Sequence, residues 1–294
     1  MKNNISSTIL LLGLIIFTGC QSSGSNQKKD SDKPRIVCLS KHLTEMIFAL
    51  GKGSLLIGRD LTSNYPDSTQ FITQVGYHRA LNTEGILSLN PSVVIHSNDI
   101  GPAQVEQQLK EAGTKVSIFP QANSPDSSRI VLKLLAEYLG AQSAADSIIH
   151  KMDSVTLIQK QLQKKCIDTP TVMVVQYGQA SNRFFILSGR KGAADYMIQE
   201  AVAKVALYDG KGSRDLSAEA IAKANPAIIL ATDVGFDKLG SVEAFAQLPG
   251  IALTDAYKTK RIYRVMEHDI VYFGPRTPSN IIHLIHQLHP KLHD

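Results

Sequence analysis

The sequence contains no tryptophan and only three cysteines, and aromatic residues make up 6% of it. It has no Cys-x-x-Cys pair and no Cys/His spacing of a zinc site. Cys38 and Cys166 therefore read as small core residues rather than as a disulfide or a metal centre. No block of Lys or Arg stands out, and a formal charge of +5 is too small a surplus to argue for nucleic-acid binding. No apolar run reaches the roughly 20 residues that a membrane-spanning helix needs. A Gly-x-Ser-x-Gly elbow, a P-loop and a Gly-x-Gly-x-x-Gly turn opening a helix are also missing, which argues against the common catalytic frameworks.

What is present begins with Met1–Gly19, which carries one early cation, Lys2, and the apolar run Ile9–Phe17. This pattern fits the hydrophobic region of a secretory signal peptide. Phe17-Thr18-Gly19-Cys20 resembles a bacterial lipobox, with Phe17 where Leu is usual. The resemblance implies lipidation of Cys20 and an extracytoplasmic protein anchored to a bacterial membrane. Acyl chains contribute roughly 0.8 kcal/mol per buried CH₂, so two or three of them hold a protein stably. Gln21–Lys33 offers no side chain able to build a core and reads as a tether. The globular part is expected from Pro34 onward, roughly 260 residues, enough for one large domain or two ordinary ones.

Within it, short β-branched runs alternate with helical patterns. Strands are expected at Arg35–Leu39, Val93–His96 and Val116–Phe119, with helices at Thr44–Leu50 and Ala103–Ala112. The second half repeats the scheme with strands at Thr171–Gln176, Ile228–Ala231 and Ile262–Val265, and helices at Ala193–Val202 and Val242–Leu248. Such alternation predicts an α/β protein with parallel sheets. Ser143–Lys164, free of Gly and Pro, reads as one long linker helix between two lobes, placing the lobes at 34–140 and 167–294 and the linker at 141–166. An internal echo supports two lobes: Leu81–Ile95 (LNTEGILSLNPSVVI) returns as Leu216–Leu230 (LSAEAIAKANPAIIL). Each copy has a capping residue (Asn82, Ser217), a first-turn carboxylate (Glu84, Glu219), an Asn-Pro stop and a buried strand.

The stretches RIVCLSKHLTEMIFALGKGSLLIGRDLTSNYP and QVGYHRALNTEGILSLNPSVVI carry a family likeness, which LSGRKGAADYMI and FGPRTPSNIIHLI continue. They resemble the cobalamin-, siderophore- and haem-binding periplasmic proteins of ABC importers, and Val-Gly-Tyr-x-Arg-x-Leu resembles the haem-binding branch. The resemblance covers the chain from Pro34 to about Pro290. It implies two Rossmann-like lobes joined by a single long helix, a ligand held in the cleft between them, and delivery of haem to a permease dimer with its ATPase subunits. It implies no catalytic cofactor and no enzymatic activity.

By the same resemblance Tyr77 is the axial ligand to ferric haem iron and Arg79 its accompanying cation. Phenolate is a hard anionic donor suited to Fe(III), and a free phenol loses its proton only near pH ~10, so iron and a cation must assist. Arg79 would bond the phenolate or a haem propionate. Ligands of α/β lobes meet the loops at the carboxyl ends of strands, where His42, His96 and His268 fall. His42 and His268 are taken as cleft candidates, as is Arg190 in Ser188–Gly192. Arg276 reads as structural, fixing the start of the last helix, and the terminal His283, His286, His289 and His293 as a solvated face. The resemblance also implies that Glu84 and Glu219, one on each lobe, dock on arginines of the two permease subunits. Other readings stay open: a corrinoid or ferric siderophore as ligand, a zinc or manganese site built from His42, His96 and His268, and a hydrolase.

Overall fold

The computed structural model describes residues 33–210 and 212–293. The signal segment, Cys20 and nearly all of the tether lie outside them. Among the described residues no helix is long and apolar enough to cross a membrane.

The first lobe is built on a five-stranded, wholly parallel sheet: β1 (Ile36–Cys38), β2 (Leu56–Arg59), β3 (Thr73–Gln74), β4 (Val93–His96) and β5 (Lys115–Ile118), in the order β3-β2-β1-β4-β5. Its helices are α1 (Lys41–Ala49), α2 (Thr83–Leu87), α3 (Gln104–Glu111) and α4 (Pro125–Leu139). Central β1 is buried on both faces, as an interior parallel strand must be. Ile36 and Cys38 pack with Leu43, Met46 and Ile47 of α1 and with Leu132 and Leu135 of α4. Val37 and Leu39 pack on the other face with Ile86 of α2 and with Val105 and Leu109 of α3. Burial pushes the Cys38 thiol up to about 12, so it stays protonated and inert, an ordinary core residue.

Helix α4 is absent from the strand-and-helix alternation read from the sequence, yet its signals are clear. Ser124 caps it with a capping box to Ser127, Pro125 opens it, and Gly140 closes it at φ 63°. A 22-residue helix, α5 (Gln142–Gln163), then carries the chain to the second lobe. It packs along α4 on one side and along the last helix on the other. Arg129 of α4 reaches Asp153 at 2.8 Å, while Gln159 bonds Glu200 of the second lobe at 2.7 Å. The long linker helix expected from the sequence is therefore present and tied to both lobes.

The second lobe holds β6 (Thr171–Gly178), β7 (Arg183–Leu187), β8 (Lys204–Val205), β9 (Ser213–Asp215), β10 (Ile228–Thr232) and β11 (Ile262–Val265). Its helices are α6 (Ala193–Glu200), α7 (Ala218–Ala224), α8 (Asp233–Leu239), α9 (Val242–Phe245), α10 (Asp255–Lys258), α11 (Glu267–Val271) and α12 (Thr277–Leu288). Here the expectation of a parallel sheet needs correction. β11-β10-β6 run parallel, but β6 turns back into β7 as an antiparallel hairpin, and β7 pairs antiparallel with β9. The apolar run Phe184–Leu187, behind a turn in which Asn182 takes φ 55°, is the local signal for that hairpin. Val172 and Val174 of β6 face α6 and α12, and Met173 and Val175 face α7 and α9.

Two glycine-bearing loops meet beside this hairpin. The N–H groups of Ser188 and Gly189 both donate to the carbonyl of Gly212, at 3.1 and 3.0 Å. A Cβ on Gly189 would lie 2.4 Å from the Gly212 Cα, a backbone atom that cannot swing aside. Gly189→Ala should therefore cost about 1–3 kcal/mol, the usual penalty of overpacking, read as a lowered denaturation midpoint. An unchanged midpoint would show that the loops are not in this contact.

Candidate functional site

The carboxyl ends of β1, β2 and β4 in one lobe and of β6 and β11 in the other converge on a cavity of about 660 Å³. That is the place where open α/β sheets bind ligands, and the size suits a large cofactor-like molecule. The first lobe contributes Ser40, Lys41, His42, Tyr77, Arg79 and Asp99; the second contributes Tyr177, Lys191, Glu267 and Tyr272.

Tyr77 is half-buried on a loop that the backbone holds firmly. Gly76 takes φ 106°, a conformation reserved for glycine, and the N–H of Ala80 donates to the Tyr77 carbonyl at 2.8 Å to close a turn. The neighbouring His78 packs edge-on against the Tyr77 ring at 4.5 Å. Its Nδ1 lies 3.5 Å from Asp60 and its Nε2 3.7 Å from Asp99. Asp60 is fully buried; burial alone would raise its pKa, but bonds from His78, Ser63 and Thr62 outweigh that and hold it below the usual carboxylate range. Arg79 is exposed at the wall of the cavity and has no ion-pair partner among the described residues.

His42 lines the same cavity, buried, with Nδ1 3.0 Å from the Ser40 hydroxyl. Burial drives its pKa down to about 4, against smaller opposing pulls from the Pro120 carbonyl and Asp99, so the ring is neutral at physiological pH. The structure thus brings three of the residues expected from the sequence, Tyr77, Arg79 and His42, into one cavity.

His268 and Arg190 are placed elsewhere. α11 starts directly after β11, so Glu267 takes the cavity wall and His268, about 100° further round the helix, turns to the other lobe. There its Nε2 bonds Glu45 of α1 and its ring stacks on Tyr65 at 5.3 Å. Arg276 also bonds Glu45, at 2.9 Å, holds Asp269 at 2.6 Å and lies 3.6 Å from the centre of the Tyr65 ring. Its guanidinium makes no cap bond to the start of the last helix and instead joins the two lobes. Arg190 is exposed, with its guanidinium 4.3 Å over the Tyr208 ring, and lines a side recess of about 290 Å³ that shares Gln176, Gly192, Ala193, Val271 and Tyr272 with the cavity. Its neighbour Lys191 lines the cavity instead, a residue that the sequence did not single out.

Lys41 was missed too, although its place just after the first strand is the signal that found His42. Its ammonium lies 2.6 Å from Glu267 and 4.7 Å over the Tyr272 ring, nearly closed off from solvent. Burial opposes its charge, but Tyr272 and Glu267 outweigh that and push its pKa above the usual lysine range. His96 is buried at the end of β4, with its Nδ1 accepting from the Asn98 N–H at 3.0 Å, and does not line the cavity. Among the described residues no group of three or more His, Cys, Asp or Glu is set to hold a metal ion, so His42, His96 and His268 do not converge on one.

Glu84 and Glu219 are exposed, each the second residue of its helix, α2 and α7. Asn82 accepts from the Glu84 N–H, and Ser217 accepts from the Ala220 N–H. The repeated unit read from the sequence is thus a repeated helix start.

Residues 36–267 match the periplasmic binding protein family. The chain belongs to that family. It is accordingly a substrate-binding protein and not an enzyme. It is 28% identical over 281 residues, 94% of this chain and 87% of the other, to the uncharacterized ABC transporter substrate-binding lipoprotein YvrC of Bacillus subtilis. Among solved structures it is similar to the periplasmic haem-binding protein RhuT of Roseiflexus, with a TM-score of 0.79 and 30% identity over 88% of this chain and 98% of that one. It is also similar to the periplasmic haem-binding protein BhuT in complex with two haems, with a TM-score of 0.77 and 29% identity over 88% and 99%. A vitamin B12-binding protein of Vibrio vulnificus is 26% identical over 150 residues, about half of either chain.

Two expectations follow for this binding protein. Burial by itself would raise the pKa of Glu45, but His268 and Arg276 outweigh it and hold the pKa below the ordinary 4.5. The stability this carboxylate contributes is therefore present above pH 4.5 and lost as acid takes the pH down through the depressed value. Glu45→Ala should cost about 3 kcal/mol at neutral pH, since Arg276 loses a counter-charge and His268 a buried hydrogen-bond partner, and should flatten the acid limb of a stability-pH curve. His42, protonated more readily in the unfolded chain, favours folding above pH 6.5 and weakens it as the pH falls towards 4. Imidazole resonances followed by NMR should show one histidine titrating near 4; titration of every histidine near 6.5 would contradict its burial.

Proposed function

We propose that this protein is the extracytoplasmic, lipid-anchored substrate-binding component of an ABC importer, and that its cargo is ferric haem held in the inter-lobe cavity. The observation that carries the reading is Tyr77 on the cavity wall with Arg79 two residues away. A phenol oxygen is a hard donor matched to Fe(III), and an arginine fork beside it favours the phenolate or receives a carboxylate. The haem-binding proteins among its structural relatives span nearly the whole folded part, whereas the vitamin B12-binding relative matches over 48% of the chain. In this reading Tyr77 binds the iron, Arg79 assists it, and neutral His42 faces the ligand from the same lobe. Cys20 carries the anchor, and Glu84 and Glu219, at equivalent places on the two lobes, dock on paired cations of a two-subunit permease.

Haemin titrated into the folded domain should produce a saturable absorbance change, and Tyr77→Ala should weaken binding roughly tenfold or more and alter the spectrum. Identical spectra and affinity in the variant would refute Tyr77 as ligand. Saturable binding of cyanocobalamin with no response to haemin would replace haem by a corrinoid. Glu84→Ala combined with Glu219→Ala should leave haemin affinity unchanged while abolishing uptake by vesicles that carry the importer. Undiminished uptake would remove the docking role.

A further inference from the structure

The charged residues lining the cavity are Lys41, Arg79, Asp99, Lys191 and Glu267. Lys41 is consumed by Glu267 at 2.6 Å, and Asp99 lies against His78 and Ser97. Two cavity-lining cations, Arg79 from the first lobe and Lys191 from the second, have no carboxylate partner among the described residues. Lys191 is also held in a backbone conformation that lysine avoids, with φ 66°. Its N–H donates to Asp195 at 2.8 Å, which keeps the chain in that turn at the entry to α6. The inversion parts two adjacent cations: Arg190 lies over the Tyr208 ring and lines the adjoining recess, and Lys191 lines the cavity. A position that glycine would occupy without strain thus holds a long cation facing the ligand space.

We propose that Lys191 is a specificity-determining residue: with Arg79 it forms a pair of cations on opposing lobes that selects a flat ligand bearing acidic side groups over one of similar size bearing neutral amides or esters. The inference rests on the haem reading and deepens it, since the two carboxylates of haem are the acidic groups that such a pair would take. Each lobe then holds the ligand by charge, and only the first also holds its metal.

The test compares haemin with haemin dimethyl ester, which keeps the iron and the ring but not the carboxylates. Both are titrated by absorbance into the wild-type domain and into the Lys191→Gln, Lys191→Gly and Arg190→Gln variants. The wild type should prefer haemin, and Lys191→Gln should weaken haemin about tenfold while leaving the ester unchanged. Lys191→Gly should lose the same preference with a denaturation midpoint equal to or above wild type, because glycine relieves the positive φ. A merely structural lysine would not produce that pairing of results. Arg190→Gln should keep the preference for haemin. A haemin-to-ester ratio that does not change in Lys191→Gln overturns the inference while the haem reading stands. A wild-type protein that answers to neither porphyrin overturns both.

Discussion

Lys41 and Glu45, one turn apart on α1, reach across to Glu267, His268 and Arg276 in the other lobe, and the relation between the lobes depends on that contact. Charges this deeply buried are costly to leave alone. Parting the lobes here would separate Lys41 from Glu267 and Glu45 from His268 and Arg276, so the cluster fixes how the two lobes meet. The helix α5 adds a second tie through Arg129–Asp153 and Gln159–Glu200. The cavity lies between these two ties.

The same cluster shapes what the cavity can recognise. By pairing Lys41 with Glu267 at its wall, the fold cancels two charges that would otherwise face the ligand. What remains is a phenol with its arginine on one lobe and a strained lysine on the other. Under the proposed haem reading the first lobe supplies the metal ligand and each lobe supplies one cation.

Much of the fold was legible because its causes are local. A parallel strand buried on both faces reads as an unbroken apolar run, and the linker reads as a long stretch without Gly or Pro. The echo of Leu81–Ile95 in Leu216–Leu230 exposed the two-lobe plan. The β6–β7 hairpin was not read, because its strands face each other across a short turn whose outcome rests on pairing with β9. Helix α4 was passed over despite its capping box. The cavity-lining residues divide in the same way: Tyr77, Arg79 and His42 follow from motif or from strand-end position, Lys41 shares that strand-end position, and Lys191 carries no such signal.

The sequence by itself determined the α/β alternation, the long connecting helix and the repeated helix start, since propensity, periodicity and capping act over a few residues; the family followed from the likeness of its motifs. Only the tertiary structure decided which of two neighbouring side chains lines the cavity. At Glu267–His268 a helical turn of about 100° sends one to the cavity and the other to the opposing lobe. At Arg190–Lys191 a positive φ parts two cations that look alike in sequence. Direction at a chain reversal depends on what packs around it, and those neighbours are distant in sequence.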